Sequence, residues 1–136
     1  MNMAKTKKRL ALLIPALLVA VVLVCGVSSK VEKGSVTTIG VEEFAKVIKQ
    51  KKVRLIDVRT PKEYAEEHLQ GAENIDVKAA DFGEKTKEIK GKVAVYCRSG
   101  KRSLNAANQL AAQGCTVYDL GGGIVAWKQA GKPTTK

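Results

Sequence analysis

Short apolar runs alternate with amphipathic stretches along the chain from residue 36 onward. The runs have the length of buried strands, and the stretches between them repeat apolar residues at the spacing of one helix face. This alternation predicts an α/β fold, a single domain whose central parallel sheet carries helices on both faces. Strands are predicted over residues 36–39, 53–58, 93–96 and 116–120, and helices over residues 41–49, 81–89, 103–113 and 124–129, with a further helix that begins at Pro61.

Local signals mark the ends of two predicted helices. Thr60 is a good N-cap, Pro61 suits the first helical position, and Glu63 completes a capping-box pattern with Thr60. In the helix over residues 103–113, Gly114 is predicted to provide the left-handed C′ position. The periodicity predicts a core-facing stripe of this helix that consists of Leu104, Ala107, Leu110 and Ala111.

The first 29 residues have a different pattern. Residues 1–9 are short and basic, and residues 10–27 are uncharged and apolar. This arrangement is typical of a signal peptide or an N-terminal membrane anchor. Three alternatives stay open: cleavage after Ser29, a retained anchor, or lipid attachment at Cys25. Each predicts an exported, periplasmic or extracytoplasmic domain that contacts a membrane only through residues 1–29, with a linker over residues 30–35 and the folded domain over residues 36–136.

Composition narrows the function classes. The chain carries 24 basic and 13 acidic residues, a net charge of +11, which favours anionic ligands. The basic residues form no run interleaved with aromatics, so we expect no nucleic acid partner. Two cysteines, Cys97 and Cys115, follow the leader. Two are too few for a disulfide framework, and a bridge between them would remove the reactive thiol considered next.

The segment from Cys97 to Ser103, sequence CRSGKRS, carries the most informative chemistry. Cys97 leaves the carboxyl end of a predicted buried strand, where parallel sheets bind ligands. Loop N–H groups, the start of the next helix and three basic side chains all favour the thiolate, which is the nucleophilic form. We therefore predict Cys97 as a nucleophile, with candidate substrate-binding residues Arg98, Ser99, Gly100, Lys101, Arg102 and Ser103; an N-cap role for Ser103 stays open.

This loop resembles the active-site loop of the rhodanese family of sulfurtransferases. Three further motifs resemble that family in the same order along the chain, so the resemblance covers nearly all of the domain. They are Leu55 to Pro61 followed by Glu63 and Tyr64, His68 to Ala72, and Leu120 to Gly123 followed by Trp127, Gly131 and Pro133.

The resemblance implies a thiosulfate sulfurtransferase that works through a persulfide on Cys97. The partners would be a small sulfur donor and a thiol or cyanide acceptor, with no metal and no organic cofactor, and we expect a monomer. Two other functions stay open. One is a persulfide carrier or redox partner with little turnover. The other is an anion-binding phosphatase or arsenate reductase, which the short loop disfavours because Arg102 lies five residues after Cys97.

Other polar residues are expected to support the fold or the loop. Asp57 and Arg59 follow a buried strand and are predicted to brace the site or to form a structural ion pair. His68, the only histidine, is predicted to be structural because an activated thiolate needs no general base. Cys115 is predicted to be a packed thiol, with a resolving role as the alternative, and Trp127 to be a core residue.

Overall fold

Five parallel strands form the centre of the computed structural model, which describes residues 33–136. Their order across the sheet is β1-β5-β4-β2-β3. The predicted leader, with its three alternatives, lies outside the described residues. The strands are β1 (Ser35–Ile39), β2 (Val53–Asp57), β3 (Glu73–Asn74), β4 (Lys92–Tyr96) and β5 (Thr116–Leu120).

Helices cover both faces of this sheet, as the alternating pattern predicted. They are α1 (Val41–Val47), α2 (Pro61–Glu66), α3 (Phe82–Thr86), α4 (Lys101–Ala112) and α5 (Gly123–Gln129). No helix within residues 33–136 has both the length and the apolar character needed to cross a membrane.

The two faces of β4 build two separate apolar cores because side chains alternate along a strand. Val93 and Val95 pack with α3 and α4, and Ala94 and Tyr96 pack on the other face with α1 and α5. All four side chains are fully buried. Burial of one valine-sized side chain contributes roughly 1.5 to 3 kcal/mol. The central strand therefore holds the helical layers together and fixes the position of the residue that follows it.

Helix α4 begins at Lys101, two residues earlier than predicted. Gly100, at a φ of 109°, is the N-cap, so the N-cap interpretation of Ser103 is wrong. The predicted inner stripe is also wrong at Leu104, which is 44% exposed, whereas Ser103 is fully buried. The apolar pattern did not predict that Ser103 faces inward. A buried hydroxyl needs a hydrogen-bond partner, and the sequence does not reveal that partner.

Other predicted boundaries agree more closely. The Thr60 hydroxyl accepts a hydrogen bond from the Glu63 N–H, and Pro61 is the first residue of α2, as the capping pattern indicated. Gly114 adopts a φ of 103° after α4. Helix α3 is shorter than the predicted helix over residues 81–89, and strand β3 was not predicted because its two residues are polar.

The parallel arrangement brings the carboxyl ends of four strands to one edge of the sheet. Asp57, the last residue of β2, pairs with Tyr96, the last residue of β4. Ile39 of β1 pairs with Leu120 of β5 in the same way. Cys97 therefore leaves the sheet at the edge where ligands bind in folds of this kind.

Candidate active site around Cys97

The Cys97 sulfur lies inside the loop that joins β4 to α4. The Gly100 N–H donates a hydrogen bond to Sγ over 3.1 Å, and the Ser103 hydroxyl oxygen lies 3.4 Å from Sγ. The side chain as a whole is 1% exposed. An N–H dipole aimed at sulfur stabilises negative charge on it, so the loop favours the thiolate.

Helix α4 reinforces this effect. In the first hydrogen bond of the helix, the Leu104 N–H donates to the carbonyl of Gly100, the N-cap residue. The N–H groups before Leu104 therefore have no partner within the helix. The twelve-residue helix directs its positive dipole end toward the loop that contains Cys97. Gly100 allows this geometry because its left-handed φ is strained for other residues.

A second loop, Gly121 to Gly123, packs against the loop that contains Cys97, and the residues that follow it donate hydrogen bonds to that loop. The Ile124 N–H donates to the Cys97 carbonyl over 2.9 Å, and the Val125 N–H donates to the Arg98 carbonyl over 3.2 Å. The two backbones approach so closely that a Cβ atom on Gly123 would lie 2.3 Å from the Arg98 carbonyl oxygen. The Gly run thus provides close contact between backbones as well as a turn.

A chain of side-chain hydrogen bonds lies behind the sulfur. Ser103 Oγ is 2.6 Å from Asp119 Oδ1, and Thr38 Oγ1 donates to Asp119 Oδ2 over 3.0 Å. Ser103 and Asp119 are buried. Sequence reasoning missed Asp119. Its place near the carboxyl end of a predicted strand was an available signal, but its partners on β1 and α4 were not.

The three predicted basic residues occupy different environments. Arg98 and Lys101 are exposed, and within residues 33–136 their side chains make no ion pair. Arg102 instead forms a bidentate pair with Glu63 of α2, with N–O distances of 2.8 and 2.9 Å. This pairing lowers the pKa of Glu63 to about 2. Within the part of the chain that the structure describes, Arg98 and Lys101 therefore remain exposed and unpaired, while Arg102 joins α4 to α2.

A cleft of about 420 Å³ opens beside the loop, between α2 and α5. Arg98 is the loop residue that reaches it, and Ser99 is exposed next to Arg98. The lining has mixed charge rather than a uniformly basic character. It consists of Arg59, Glu63, Glu66, Glu67, Arg98, Ile124, Val125, Lys128 and Gln129.

Asp57 and Arg59 form a buried ion pair with an N–O distance of 2.6 Å. The Arg59 guanidinium also donates to the Glu67 carbonyl and lies 5.7 Å from the centre of the Tyr96 ring. The Tyr96 hydroxyl accepts the Leu69 N–H, and burial raises the pKa of Tyr96. Arg59 thus lies against Tyr96, the residue that precedes Cys97, and the pair does not contact the sulfur. The structure shows the ion pair that the sequence allowed, and a role in bracing the site stays a prediction.

His68 and Cys115 lie in structural positions. The His68 ring stacks on Tyr64, with centroids 3.7 Å apart, and its Nδ1 is 2.8 Å from the Tyr64 carbonyl oxygen. Cys115 is buried, donates to the Ile89 carbonyl, and has its pKa raised by desolvation. It precedes β5 and thus lies at the opposite edge of the sheet from Cys97, roughly 15 Å or more away along five strand residues. Both cysteines are free thiols.

Within residues 33–136, no group of three histidine, cysteine, aspartate or glutamate side chains is arranged as metal ligands.

Comparison with known families agrees with the geometry. The sequence model of the Rhodanese-like domain matches residues 40–130. The chain belongs to the rhodanese-like domain family. That match includes the whole Cys97 loop, the Asp57 and Arg59 pair, and the Gly121 to Gly123 turn.

Individual relatives extend this result at modest identity. The chain is 38% identical over 101 residues to the uncharacterized protein slr1261 of Synechocystis, and the match covers 73% of this chain but 56% of that relative. It is 37% identical over 94 residues to thiosulfate sulfurtransferase 16, chloroplastic, of Arabidopsis thaliana, covering 60% of this chain and 78% of that protein.

A solved structure shows the same fold. The crystal structure of a rhodanese-related protein from Thermoplasma volcanium superposes with a TM-score of 0.64 at 30% identity, covering 72% of this chain and 96% of that one. Relatives of this rhodanese-like domain thus include sulfurtransferases.

Proposed function

We propose that this chain is a sulfurtransferase that moves a sulfane sulfur from a donor such as thiosulfate to a thiol or cyanide acceptor through a persulfide on Cys97. The observation that carries the proposal is the hydrogen bond from the Gly100 N–H to the Cys97 sulfur at the start of α4. A structural cysteine needs no such donor, whereas a nucleophilic thiolate and the persulfide formed from it do.

Each step is a displacement at sulfur. The Cys97 thiolate attacks the outer sulfur of thiosulfate, a new S–S bond forms, and sulfite leaves with the electrons of the broken S–S bond. The acceptor thiolate or cyanide then attacks the outer sulfur of the persulfide, and the Cys97 thiolate leaves. Because the donor product departs before the acceptor reacts, we expect ping-pong kinetics.

Loop residues have distinct roles in this proposal. Arg98 and Lys101 are the exposed cations that would attract and hold a dianionic donor, and Ser99 is exposed next to Arg98 in the chain. The Gly100 N–H would stabilise charge on the reacting sulfur. Arg102 would contribute positive charge at a distance while it holds the loop to α2 through Glu63, and Ser103 would contact the sulfur from the buried side.

The test measures thiocyanate production from thiosulfate and cyanide by the purified domain, with a Cys97→Ala variant and a Cys115→Ala control. The proposal predicts turnover by the wild type and the control and none by Cys97→Ala. Turnover that persists in Cys97→Ala would contradict it. Persulfide formation without turnover would instead indicate a carrier, and hydrolysis of an aryl phosphate would indicate a phosphatase.

We also propose that the domain acts on the outer side of a membrane as a monomer without a nucleic acid partner. The basic and apolar pattern of residues 1–29 supports export. Sequencing the N-terminus of the protein purified from its own cells tests this. A start at Lys30, a lipidated Cys25, or an intact leader in the membrane fraction would each fit one form of export, and an intact leader in the cytosol would contradict it.

A further inference from the structure

Asp119 is a buried carboxylate that the proposed sulfur transfer does not use. It is 2% exposed, and its oxygens contact the hydroxyl groups of Ser103 and Thr38. No lysine, arginine or histidine within residues 33–136 forms a salt bridge with it. A buried carboxylate without a cationic partner is costly, so its position two hydrogen bonds from the Cys97 sulfur calls for an explanation.

The direction of the hydrogen bonds follows from their lengths. Ser103 Oγ has one proton and two acceptors within reach, the Gly100 carbonyl at 3.1 Å and Asp119 Oδ1 at 2.6 Å. The shorter distance is typical of a hydroxyl that donates to a carboxylate, which is the stronger bond. Ser103 Oγ therefore donates its proton to Asp119. Its lone pairs are left to accept a hydrogen bond from the Cys97 thiol over 3.4 Å.

We propose that Asp119 accepts the proton of Cys97 through Ser103 when the thiolate forms. The S–H bond of Cys97 breaks as Ser103 Oγ takes that proton, and the original hydroxyl proton of Ser103 moves to Asp119 Oδ1. One negative charge passes from the carboxylate to sulfur, and no electron is lost or gained. Asp119 is thus a positioning residue that acts through Ser103.

This transfer keeps the number of buried negative charges at one. A thiolate beside an ionised Asp119 would place two like charges across a single hydroxyl, which is strongly unfavourable in a buried site. With the proton on Asp119, the thiolate and then the anionic persulfide carry the only charge of the pair. The other charged groups around the loop are Arg98, Lys101 and Arg102, with Glu63 behind Arg102.

The test measures the rate at which iodoacetamide labels Cys97 at pH 7, followed by intact mass and peptide mapping. Asp119→Asn keeps the shape and an acceptor oxygen but cannot take the proton. It should label at least about tenfold more slowly than the wild type. Thr38→Val, which removes the other partner of Asp119, is the matched control and should label within about twofold of the wild type.

A second readout is the slope of labelling rate against pH. The wild-type rate should stay flat around neutral pH, because the reactive form needs no proton lost to solvent, whereas the Asp119→Asn rate should rise with pH. Equal labelling of Asp119→Asn and wild type would reduce Asp119 to a structural role. Faster labelling would mean that its charge only opposes the thiolate. Either result overturns the proposal.

Ser103→Ala provides an independent test if Asp119→Asn does not fold, as judged by a cooperative melting transition. It removes the hydroxyl link and should also slow labelling, and unchanged or faster labelling would again overturn the proposal. The proposal rests on the proposed function for its role in turnover. Labelling requires no sulfur donor, however, so a chain that labels as expected yet transfers no sulfur would refute the proposed function alone.

Discussion

Arg102 and Glu63 face each other through two parallel hydrogen bonds, from α4 to α2. The pair joins the first turn of the active-site helix to the first turn of the helix that follows β2. It also divides the basic residues of the loop into two exposed cations and one that is already paired. We therefore expect the Arg102–Glu63 pair to affect stability, and the exposed cations to affect binding of an anionic donor.

Glu63→Gln should lower stability by about 1 kcal/mol or less, because the pair is partly exposed. The pKa of Glu63 falls from 4.5 to about 2 on folding, chiefly through the hydrogen bond from Arg102. Its contribution is therefore fully present above pH 4.5 and is lost as the pH falls toward 2. Urea unfolding from pH 6 to pH 2 checks this. The difference between wild type and variant should shrink toward low pH, and a constant difference would contradict the assignment.

Arg98→Ala should raise the KM for thiosulfate by about tenfold, because it removes one of the two exposed cations of the loop. Steady-state kinetics at low ionic strength give the comparison, and added salt should reduce the difference. Arg54→Ala is the control, since Arg54 is an exposed arginine on β2 that pairs with Glu73. An equal change in both variants would indicate a general charge effect.

Gly123→Ala should disable the active-site loop. The added Cβ would lie 2.3 Å from the Arg98 carbonyl oxygen, closer than van der Waals contact permits, so the backbone of the loop has to move. Most of the proposed sulfurtransferase activity should be lost. Gly131→Ala is matched to it, because Gly131 also has a positive φ of 76° but open space around its Cβ position. Equal activities in the two variants would contradict the importance of the close contact between Gly123 and Arg98.

Asp57→Asn should destabilise the fold by about 3 kcal/mol, because it leaves the buried Arg59 without its charged partner. The midpoint of urea unfolding measures this. Asp81→Asn, which breaks an exposed pair with Lys85, should change stability by less than about 0.5 kcal/mol. If Asp57→Asn were equally mild, the bracing role of this pair would be wrong.

Local sequence signals predicted much of the fold because they act over a few residues. The Thr60, Pro61 and Glu63 pattern located the start of α2, and the apolar run before Cys97 located β4. The position of Cys97 at the end of β4 was predictable because the apolar run and the basic, glycine-containing loop are adjacent in the chain, and its role as a nucleophile stays a prediction. The capping role assigned to Ser103 failed because Gly100 takes that position.

Contacts between distant segments could not be predicted in the same way. The partners of Arg102 and Ser103 lie 39 residues before and 16 residues after them, and no periodicity relates such positions. The sequence therefore indicated three equivalent basic residues, whereas the structure separates Arg102 from Arg98 and Lys101. Asp119 was overlooked for the same reason, since its meaning depends on the neighbouring strand and helix.

The most direct test of the central claim is the intact mass of the purified domain after incubation with thiosulfate and removal of excess donor. A persulfide mechanism predicts a gain of one sulfur atom, mapped to the peptide that contains Cys97 and absent from Cys97→Ala. Addition of cyanide should remove that sulfur and restore the original mass. An unchanged mass with every sulfur donor tried, or a sulfur that maps to Cys115, would contradict the account.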